Sequence, residues 1–177
     1  LTPEQTVAER QGRFGNVLLE EILRKQLKEI NHIQYRGREY LFSEENVQTA
    51  IQKLKNITWD GPHKTNEAVY GLLTLGTALE QSVEGDTKSF TIRYIDWKNW
   101  DNNIFHVTAE FSVERARSVE TARPDIVLFV NGIPFAIIEN KKKSVSIKEA
   151  IGDLIKKQSP EYCPKLYTYA QLLVATN

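Results

Sequence analysis

The stretch RPDIVLFVNGIPFAIIENKKK, residues 123 to 143, decides how this chain folds. Two nearly unbroken apolar runs lie on either side of Asn131 and Gly132, which predicts a hairpin of two buried strands. Both ends of this hairpin are charged: Asp125 opens the first strand, and Glu139 and Lys141 close the second. Because buried charges are costly unless they are paired or coordinated, these three side chains are candidates for chemistry.

Whether Asp125 and Glu139 lie on the same face of the hairpin depends on whether its loop has an even or an odd number of residues. Glu139 and Lys141 are two residues apart in a strand, so they project from one face. A two- or four-residue loop at 131 to 134 would place Asp125 on the opposite face. An odd loop, or a bulge, places Asp125 opposite Ile137 with Glu139 diagonal to it. The chemical interpretation therefore predicts an odd loop or a bulge.

Two carboxylates that converge on one point repel each other, and a hard cation such as Mg²⁺ is the natural occupant between them. Such a cation polarises a phosphoryl oxygen and activates water. Lys141 could orient or activate that water, or stabilise charge on the phosphate. This set fits phosphodiester hydrolysis. The alternative is a simple salt bridge at a strand end, since short acid–base patterns are common.

Composition restricts the class of protein. With 177 residues, 41% hydrophobic and 26% charged, the chain is expected to form one folded, soluble domain. Its 23 basic and 23 acidic residues balance, so DNA contact would rest on local patches and the isolated domain should bind DNA weakly. No apolar run is long enough for a membrane helix and no signal peptide is evident, so we expect a cytoplasmic protein.

Periodicity predicts helices in the first half of the chain. A helical stripe runs from about residue 2 to residue 30, and a short hairpin bends at Arg36 and Gly37. Ser43 should cap a helix that ends near residue 55. Asp-Gly-Pro at 60 to 62 indicates a loop, and a third helix is expected over residues 67 to 79, interrupted or ended near Gly76.

From residue 88 the period changes to two, which favours strands. Two half-buried antiparallel strands are expected, the second with Phe105, Val107, Ala109, Phe111 and Val113 on its buried face. The 123 to 143 hairpin, apolar on both sides, implies a sheet covered on two faces. A helix capped by Ser146 follows, and a last strand or helix returns to the core. The predicted class is α/β, with a curled sheet of at least four strands.

Asp125 preceded by Pro124, followed later by Glu139-Asn140-Lys141, resembles the PD-(D/E)xK nuclease motif. The string RPDIVLFVNGIPFAIIENK is similar to the N-terminal nuclease domain of the restriction (motor) subunit of type I restriction enzymes. Four more segments resemble that family in the same order: FSEENVQTAI, TLGTALEQ, FTIRYIDWKNWDNNIFHVTAEFSVER and LYTYAQLLVATN. The resemblance implies a restriction-endonuclease-like core, with a mixed curled sheet, N-terminal helices and a crossover helix after the Glu-x-Lys strand.

The resemblance also implies an activity. Family members cut double-stranded DNA with Mg²⁺ without reading sequence, fed by an ATP-driven translocase in the same polypeptide and assembled with methyltransferase and specificity subunits. By the motif, Asp125 and Glu139 would be metal ligands, the Asn140 carbonyl a candidate third, and Lys141 the catalytic lysine.

The chain departs from the family in the helix after the motif. Where members often carry Gln and Tyr four apart, the matching residues are Asp153 and Lys157. An acid from the first helix sometimes joins such sites; Glu9, Glu20 and Glu21 are candidates, although a solvated helix face explains them better. The candidate DNA contacts are Arg123, Lys142, Lys143, Lys156, Lys157 and Gln158.

The predicted organisation is one nuclease domain over residues 1–177, with a mainly helical front (1–85) and a sheet core that carries the motif (86–177). The chain has no G-x-x-x-x-G-K-[ST] sequence, so an ATP-driven motor is expected beyond residue 177. Two alternatives remain open. One is a non-catalytic module that clamps DNA or docks on other subunits, and the other is a stand-alone repair or junction nuclease.

Overall fold

A computed structural model describes residues 1 to 177 as a mixed α/β arrangement of six α-helices and ten strands. The helices are α1 (Pro3–Glu9), α2 (Glu20–Ile30), α3 (Glu44–Lys55), α4 (Gly61–Leu75), α5 (Ile147–Lys157) and α6 (Pro164–Tyr169). The strands are β1 (His32–Tyr35), β2 (Arg38–Leu41), β3 (Thr77–Val83), β4 (Asp86–Ile92), β5 (Phe105–Ala109), β6 (Val113–Glu114), β7 (Thr121–Ala122), β8 (Ile126–Val130), β9 (Ile133–Asn140) and β10 (Leu172–Thr176).

The first helical segment is broken, so the single stripe predicted for residues 2 to 30 is wrong. Helix α1 ends at Glu9 and α2 begins at Glu20. Gln11 and Gly12 between them have φ values of 53° and 72°, which an α-helix does not accommodate. The buried Arg10 anchors this bend by donating hydrogen bonds to backbone carbonyls on both sides of it.

The rest of the front is partly as predicted. The β1–β2 hairpin and the α3 helix capped by Ser43 are confirmed. Helix α4 begins at Gly61, directly after Asp60, where a loop was predicted, since Pro62 is tolerated in a first helical turn. Helix α4 stops at Leu75, because Gly76 has a φ of 77°, and residues 77 to 83 form β3, which pairs with β4. The predicted end of this helix near Gly76 is therefore confirmed, and its alternative continuation to residue 79 is wrong.

The central sheet has four strands in the order β10-β9-β8-β5. Strands β9 and β10 are parallel, and the other pairs are antiparallel. Helices α5 and α6 connect β9 to β10, which provides the crossover that a parallel pair requires. The mixed sheet and the crossover helix are confirmed, and the final segment contains both a helix and a strand.

The β8–β9 hairpin has a two-residue turn and a bulge. Asn131 and Gly132 both have positive φ, and Val130 pairs with Ile133. Phe129 then pairs with Pro134 but Leu128 pairs with Ala136, so Phe135 is an extra residue in β9. The predicted bulge is therefore confirmed, although the loop itself is even.

This chain covers one face of the sheet fully and the other face only in part, so the prediction of two covered faces is wrong for the β5 and β10 edges. Val127, Phe129 and Ile137 are buried in a core that also includes α2 and α3. The other face exposes apolar side chains, including Phe105 (55%), Val107 (52%) and Leu172 (54%).

Strand β5 therefore faces the opposite way from the prediction. Thr108 is buried, while Phe105 and Val107 are exposed. Glu110, with a φ of 49°, bends the chain after β5, so that Phe111 and Val113 return to the core as predicted.

None of the helices combines the length and the apolar character needed to cross a membrane.

Candidate active site

Asp125 and Glu139 come together where β8 begins and β9 ends. Ile126 pairs with Ile138, so one step further along this register Asp125 is opposite Glu139. Directly opposite residues of antiparallel strands have Cβ atoms about 5 Å apart and share a face. The structure thus places Asp125 opposite Glu139 rather than opposite Ile137. Asp125 is opposite Glu139 because the hairpin combines a two-residue turn with a one-residue bulge.

Backbone hydrogen bonds fix Asp125 at this position. Its Oδ2 accepts a hydrogen bond from the Asn140 backbone N–H at 2.7 Å, and its carbonyl accepts one from the Glu110 N–H at 2.9 Å. Asp125 is half-buried. The same Asn140 that sequence analysis named as a candidate ligand thereby ties the two strand ends together.

Glu139 is a buried carboxylate with a cation on each oxygen. Its side chain is 3% exposed. Oε1 accepts from the Lys141 ammonium at 3.3 Å, and Oε2 accepts from the Lys157 ammonium at 2.6 Å. Because a buried carboxylate without partners would be very unfavourable, these two contacts explain how Glu139 remains in the core.

Lys141 also contacts Asp153 of α5, with 2.5 Å between Nζ and Oδ2. This bond to Asp153 raises the pKa of Lys141 above its ordinary value, and the bond to Glu139 acts in the same direction. The Lys141 ammonium in turn lowers the pKa of Asp153. Lys141 is therefore held in its charged form at neutral pH.

The four side chains form a continuous row, Asp153–Lys141–Glu139–Lys157, which we call the ion-pair row. Two carboxylates and two ammonium groups give it a formal charge of zero. Asp153 and Lys157 project from one face of α5 because they are four residues apart. The fold brings this face against the end of β9.

The donor atoms fit Mg²⁺ in kind. Asp125 and Glu139 supply carboxylate oxygens, and no group of three or more His, Cys, Asp or Glu side chains able to hold a metal exists in the chain. This is compatible with Mg²⁺, which typically uses one or two carboxylates and keeps several waters. The Tyr167 hydroxyl is buried without a hydrogen-bond partner; burial is the largest cause of its raised pKa, and Cys163 and Glu139 act in the same direction.

Residues 1 to 177, the whole chain, match a family model described as the N terminus of the type I restriction enzyme R protein. The chain belongs to this family. A putative type I restriction enzyme MjaIXP endonuclease subunit of Methanocaldococcus jannaschii is 32% identical over 180 residues, covering 100% of this chain. The type I restriction enzyme HindI endonuclease subunit of Haemophilus influenzae is 28% identical over 115 residues, covering 63%. The chain spans only 16% and 11% of the lengths of these two relatives.

The family resemblance suggested by the motif is therefore confirmed, whereas the roles of individual residues stay predictions. Among the candidate DNA contacts, four basic side chains are exposed: Arg123, Lys142, Lys143 and Lys156. Lys157 instead bonds Glu139, and the Gln158 amide donates to the Leu154 carbonyl at 2.9 Å. These two residues have intramolecular partners that the sequence did not reveal.

The N-terminal acids have partners elsewhere. Glu9 accepts the Ile22 N–H at the start of α2. Glu20 bonds Lys55 at 2.6 Å and also accepts from Asn16. Glu21 is exposed. The structure thus favours structural or solvated roles for all three in this R protein domain.

Sequence reasoning missed two features near the ion-pair row. One is Tyr167. The other is a stack in which the Arg115 guanidinium lies 4.5 Å from the centre of the Tyr162 ring, with the Lys156 ammonium 5.8 Å from the same ring. No spacing rule connects Arg115 with residues 156 and 162, since the contact depends on the tertiary fold. The Arg115 guanidinium also pairs with Glu120, with 3.1 Å between Nη1 and Oε2.

Proposed function

We propose that this chain is the Mg²⁺-dependent endonuclease domain of a type I restriction enzyme, and that it hydrolyses DNA phosphodiesters without reading sequence. The proposal extends to the intact protein, in which an ATP-driven motor would translocate DNA and methyltransferase and specificity subunits would read the target. The observation that carries it is the convergence of Asp125, Glu139 and Lys141 at one sheet end, combined with membership of the R protein family.

Asp125 and Glu139 would hold the metal, with the Asn140 carbonyl as a further ligand. A bound Mg²⁺ would supply charge stabilisation to the phosphate and lower the pKa of water. The chain's own contribution is to present two carboxylates at fixed positions on adjacent strands, where backbone hydrogen bonds prevent them from moving apart.

Lys141 would act through its charge. Its bonds to Asp153 and Glu139 favour the charged ammonium, which is a poor base for taking a proton from water. Two of its N–H donors are bound to Glu139 and Asp153, which leaves one for a substrate oxygen. The geometry supports stabilisation of negative charge on the phosphate rather than deprotonation of water.

DNA would approach over the exposed basic side chains around the site. Arg123 precedes Asp125, Lys142 and Lys143 follow the β9 strand, and Lys156 lies on α5. Such contacts neutralise phosphates and hold the backbone without discriminating sequence. This distribution matches a nuclease whose target is chosen elsewhere in its complex.

A second candidate is a non-catalytic module that clamps DNA or docks on other subunits. The observation that favours it is the ion-pair row, which satisfies the buried Glu139 without any metal. Calorimetric titration with Mg²⁺ separates the two. A docking module is not expected to bind a divalent cation through Asp125 and Glu139.

The proposal is tested by cleavage of plasmid DNA with the intact enzyme complex, Mg²⁺ and ATP. Asp125→Ala, Glu139→Ala and Lys141→Ala should each lower cutting by about 10²-fold or more. The control is Lys148→Ala, an exposed lysine on α5, which should cut normally. ATP hydrolysis retained by all variants would show that the complex is assembled and that its motor works. Full cutting by Lys141→Ala would refute its assigned role.

A further inference from the structure

Lys157 occupies one of the two carboxylate oxygens that a metal bound to Glu139 would need. Its Nζ lies 2.6 Å from Glu139 Oε2, and its side chain is 12% exposed. Lys141 holds the other oxygen from a longer distance, 3.3 Å. The closest contact of Glu139 is therefore with a lysine that the motif does not include.

We propose that Lys157 is a resident cation of the metal-free site, which a divalent cation must displace from Glu139 before the site can work. This inference rests on the proposed function, since it assumes that Glu139 is a metal ligand. It adds that the chain carries its own competitor for that ligand, and that the apparent affinity for metal is set partly by Lys157.

Charge accounts for the competition. The ion-pair row is neutral without metal, with Asp153 and Glu139 balanced by Lys141 and Lys157. A divalent cation at Glu139 would lie next to an ammonium group, and like charges at such short range repel strongly in a buried site. Lys141 is held back by Asp153, whereas Lys157 has no carboxylate partner other than Glu139. Lys157 is therefore the ammonium that leaves.

The position of Lys157 at the end of α5 allows its ammonium to move away from Glu139. It is the last residue of α5, next to the exposed Lys156 and close to the stack of Arg115 on Tyr162. Its flexible stem can move the ammonium from Glu139 towards solvent while the helix stays in place. Once displaced, Lys157 would join the basic side chains that face DNA, so metal binding and phosphate contact would be coupled.

If Lys157 had a purely structural role, its removal would change the metal affinity in the opposite direction. If the bond to Lys157 only oriented Glu139 for the metal, removing it would loosen the carboxylate and weaken metal binding. If Lys157 competes, removing it strengthens metal binding. The sign of the change therefore decides between the two.

The experiment measures Mn²⁺ binding to the intact protein without nucleotide, by calorimetry and by the free Mn²⁺ electron paramagnetic resonance signal. Sites unrelated to this domain are subtracted with the Glu139→Gln variant. Lys157→Gln should bind Mn²⁺ about tenfold more tightly than the wild type, and Lys157→Arg, which keeps the cation, should bind like the wild type. Unchanged or weaker binding by a folded Lys157→Gln protein would overturn the inference.

A second measurement needs no substitution, in case Lys157→Gln fails to fold. Acylation of lysines in the wild-type protein, read by mass spectrometry, reports the accessibility of each ammonium. Labelling of Lys157 should rise severalfold when Mn²⁺ is added, while the exposed Lys148 keeps a constant rate. Unchanged labelling of Lys157 at saturating Mn²⁺ would contradict displacement.

These results separate the inference from the proposed function. If Glu139→Gln removes a metal site but Lys157→Gln has no effect on it, the inference fails and the nuclease proposal stands. If no metal site depends on Asp125 or Glu139, both fail.

Discussion

Asp125 and Glu139 lie on the same face of the central sheet because β9 carries one extra residue between Pro134 and Ala136. Without that bulge, the two-residue turn would place Asp125 opposite Ile138 and direct Glu139 to the other face. The carbonyl of the bulged Phe135 accepts a hydrogen bond from the Gln171 N–H at 2.8 Å. The bulge is therefore hydrogen-bonded to the residue that directly precedes β10. The candidate site thus depends on a backbone irregularity remote from its charged side chains.

The hairpin turn should be sensitive to a methyl group. Gly132→Ala forces a side chain into a φ of 81° and places its Cβ 2.5 Å from the Leu19 carbonyl oxygen. We expect the free energy of unfolding to fall by about 2 kcal/mol or more. Gly85→Ala is the matched control, with a φ of 87° but no neighbouring atom, and should lose only about 1 kcal/mol. Equal losses in urea titrations would show that the close approach to α2 does not matter.

Asp153 should position Lys141 without binding metal itself. Asp153→Asn removes the carboxylate that holds the Lys141 ammonium, so kcat for DNA cutting should fall by about tenfold. The Mn²⁺ affinity of the site should fall as well, because a Lys141 ammonium released from Asp153 competes with the metal for Glu139. Asp153→Glu, which keeps the charge, should restore part of the rate. An Asp153→Asn enzyme with normal kcat would remove this role.

The bond between Lys141 and Asp153 should contribute to stability in a defined pH range. The lowered pKa of Asp153 means that its contribution is present above the ordinary carboxyl value and lost as the pH falls through the lower folded value. The raised pKa of Lys141 means that its contribution is present below the ordinary lysine value and lost as the pH rises through the higher folded value.

The difference in unfolding free energy between wild type and Asp153→Asn should therefore be largest near neutral pH and shrink at both extremes. It should not exceed about 1 kcal/mol, because the Asp153 side chain is 41% exposed. Urea titrations across the pH range measure it. A difference that does not vary with pH would contradict the assignment.

Tyr167 should matter for activity and not for stability. Its buried hydroxyl has no partner, so Tyr167→Phe should leave the free energy of unfolding unchanged or raise it slightly. DNA cutting should fall severalfold, and an unchanged rate would show that this hydroxyl takes no part in the site. Tyr169→Phe is the control: its hydroxyl donates to the Leu54 carbonyl at 3.0 Å, so it should destabilise by about 1 kcal/mol and cut normally. Destabilisation by Tyr167→Phe would indicate an unrecognised structural bond.

Local signals in the sequence predicted the parts of this fold that depend on local interactions. Ser43 and Ser146 begin helices where expected, since capping is a property of a few adjacent residues. The β8–β9 hairpin follows from Asn-Gly between apolar runs. The orientation of β5 was not predictable, because apolar residues occupy its exposed face and Thr108 its buried one.

In the candidate site, too, some features are predictable from the local sequence and others depend on tertiary packing. The motif identified Asp125, Glu139 and Lys141, and parity reasoning showed that a bulge could bring the acids together. The sequence does not specify that Phe135 is the extra residue, since that depends on how β9 pairs with both neighbours. From the sequence, Asp153 and Lys157 are recognisable only as residues that differ from the family pattern. Their contacts with Lys141 and Glu139 are not predictable, because these form when α5 packs on the sheet.

The most direct test of the central claim is anomalous diffraction from crystals of the protein soaked in Mn²⁺. A peak is expected between the Asp125 and Glu139 carboxylates, with an oxygen of each about 2.1 Å from the metal, and with the Lys157 ammonium moved off Glu139. A fully bound metal elsewhere in the domain, or no peak at these two acids at saturating Mn²⁺, would contradict it.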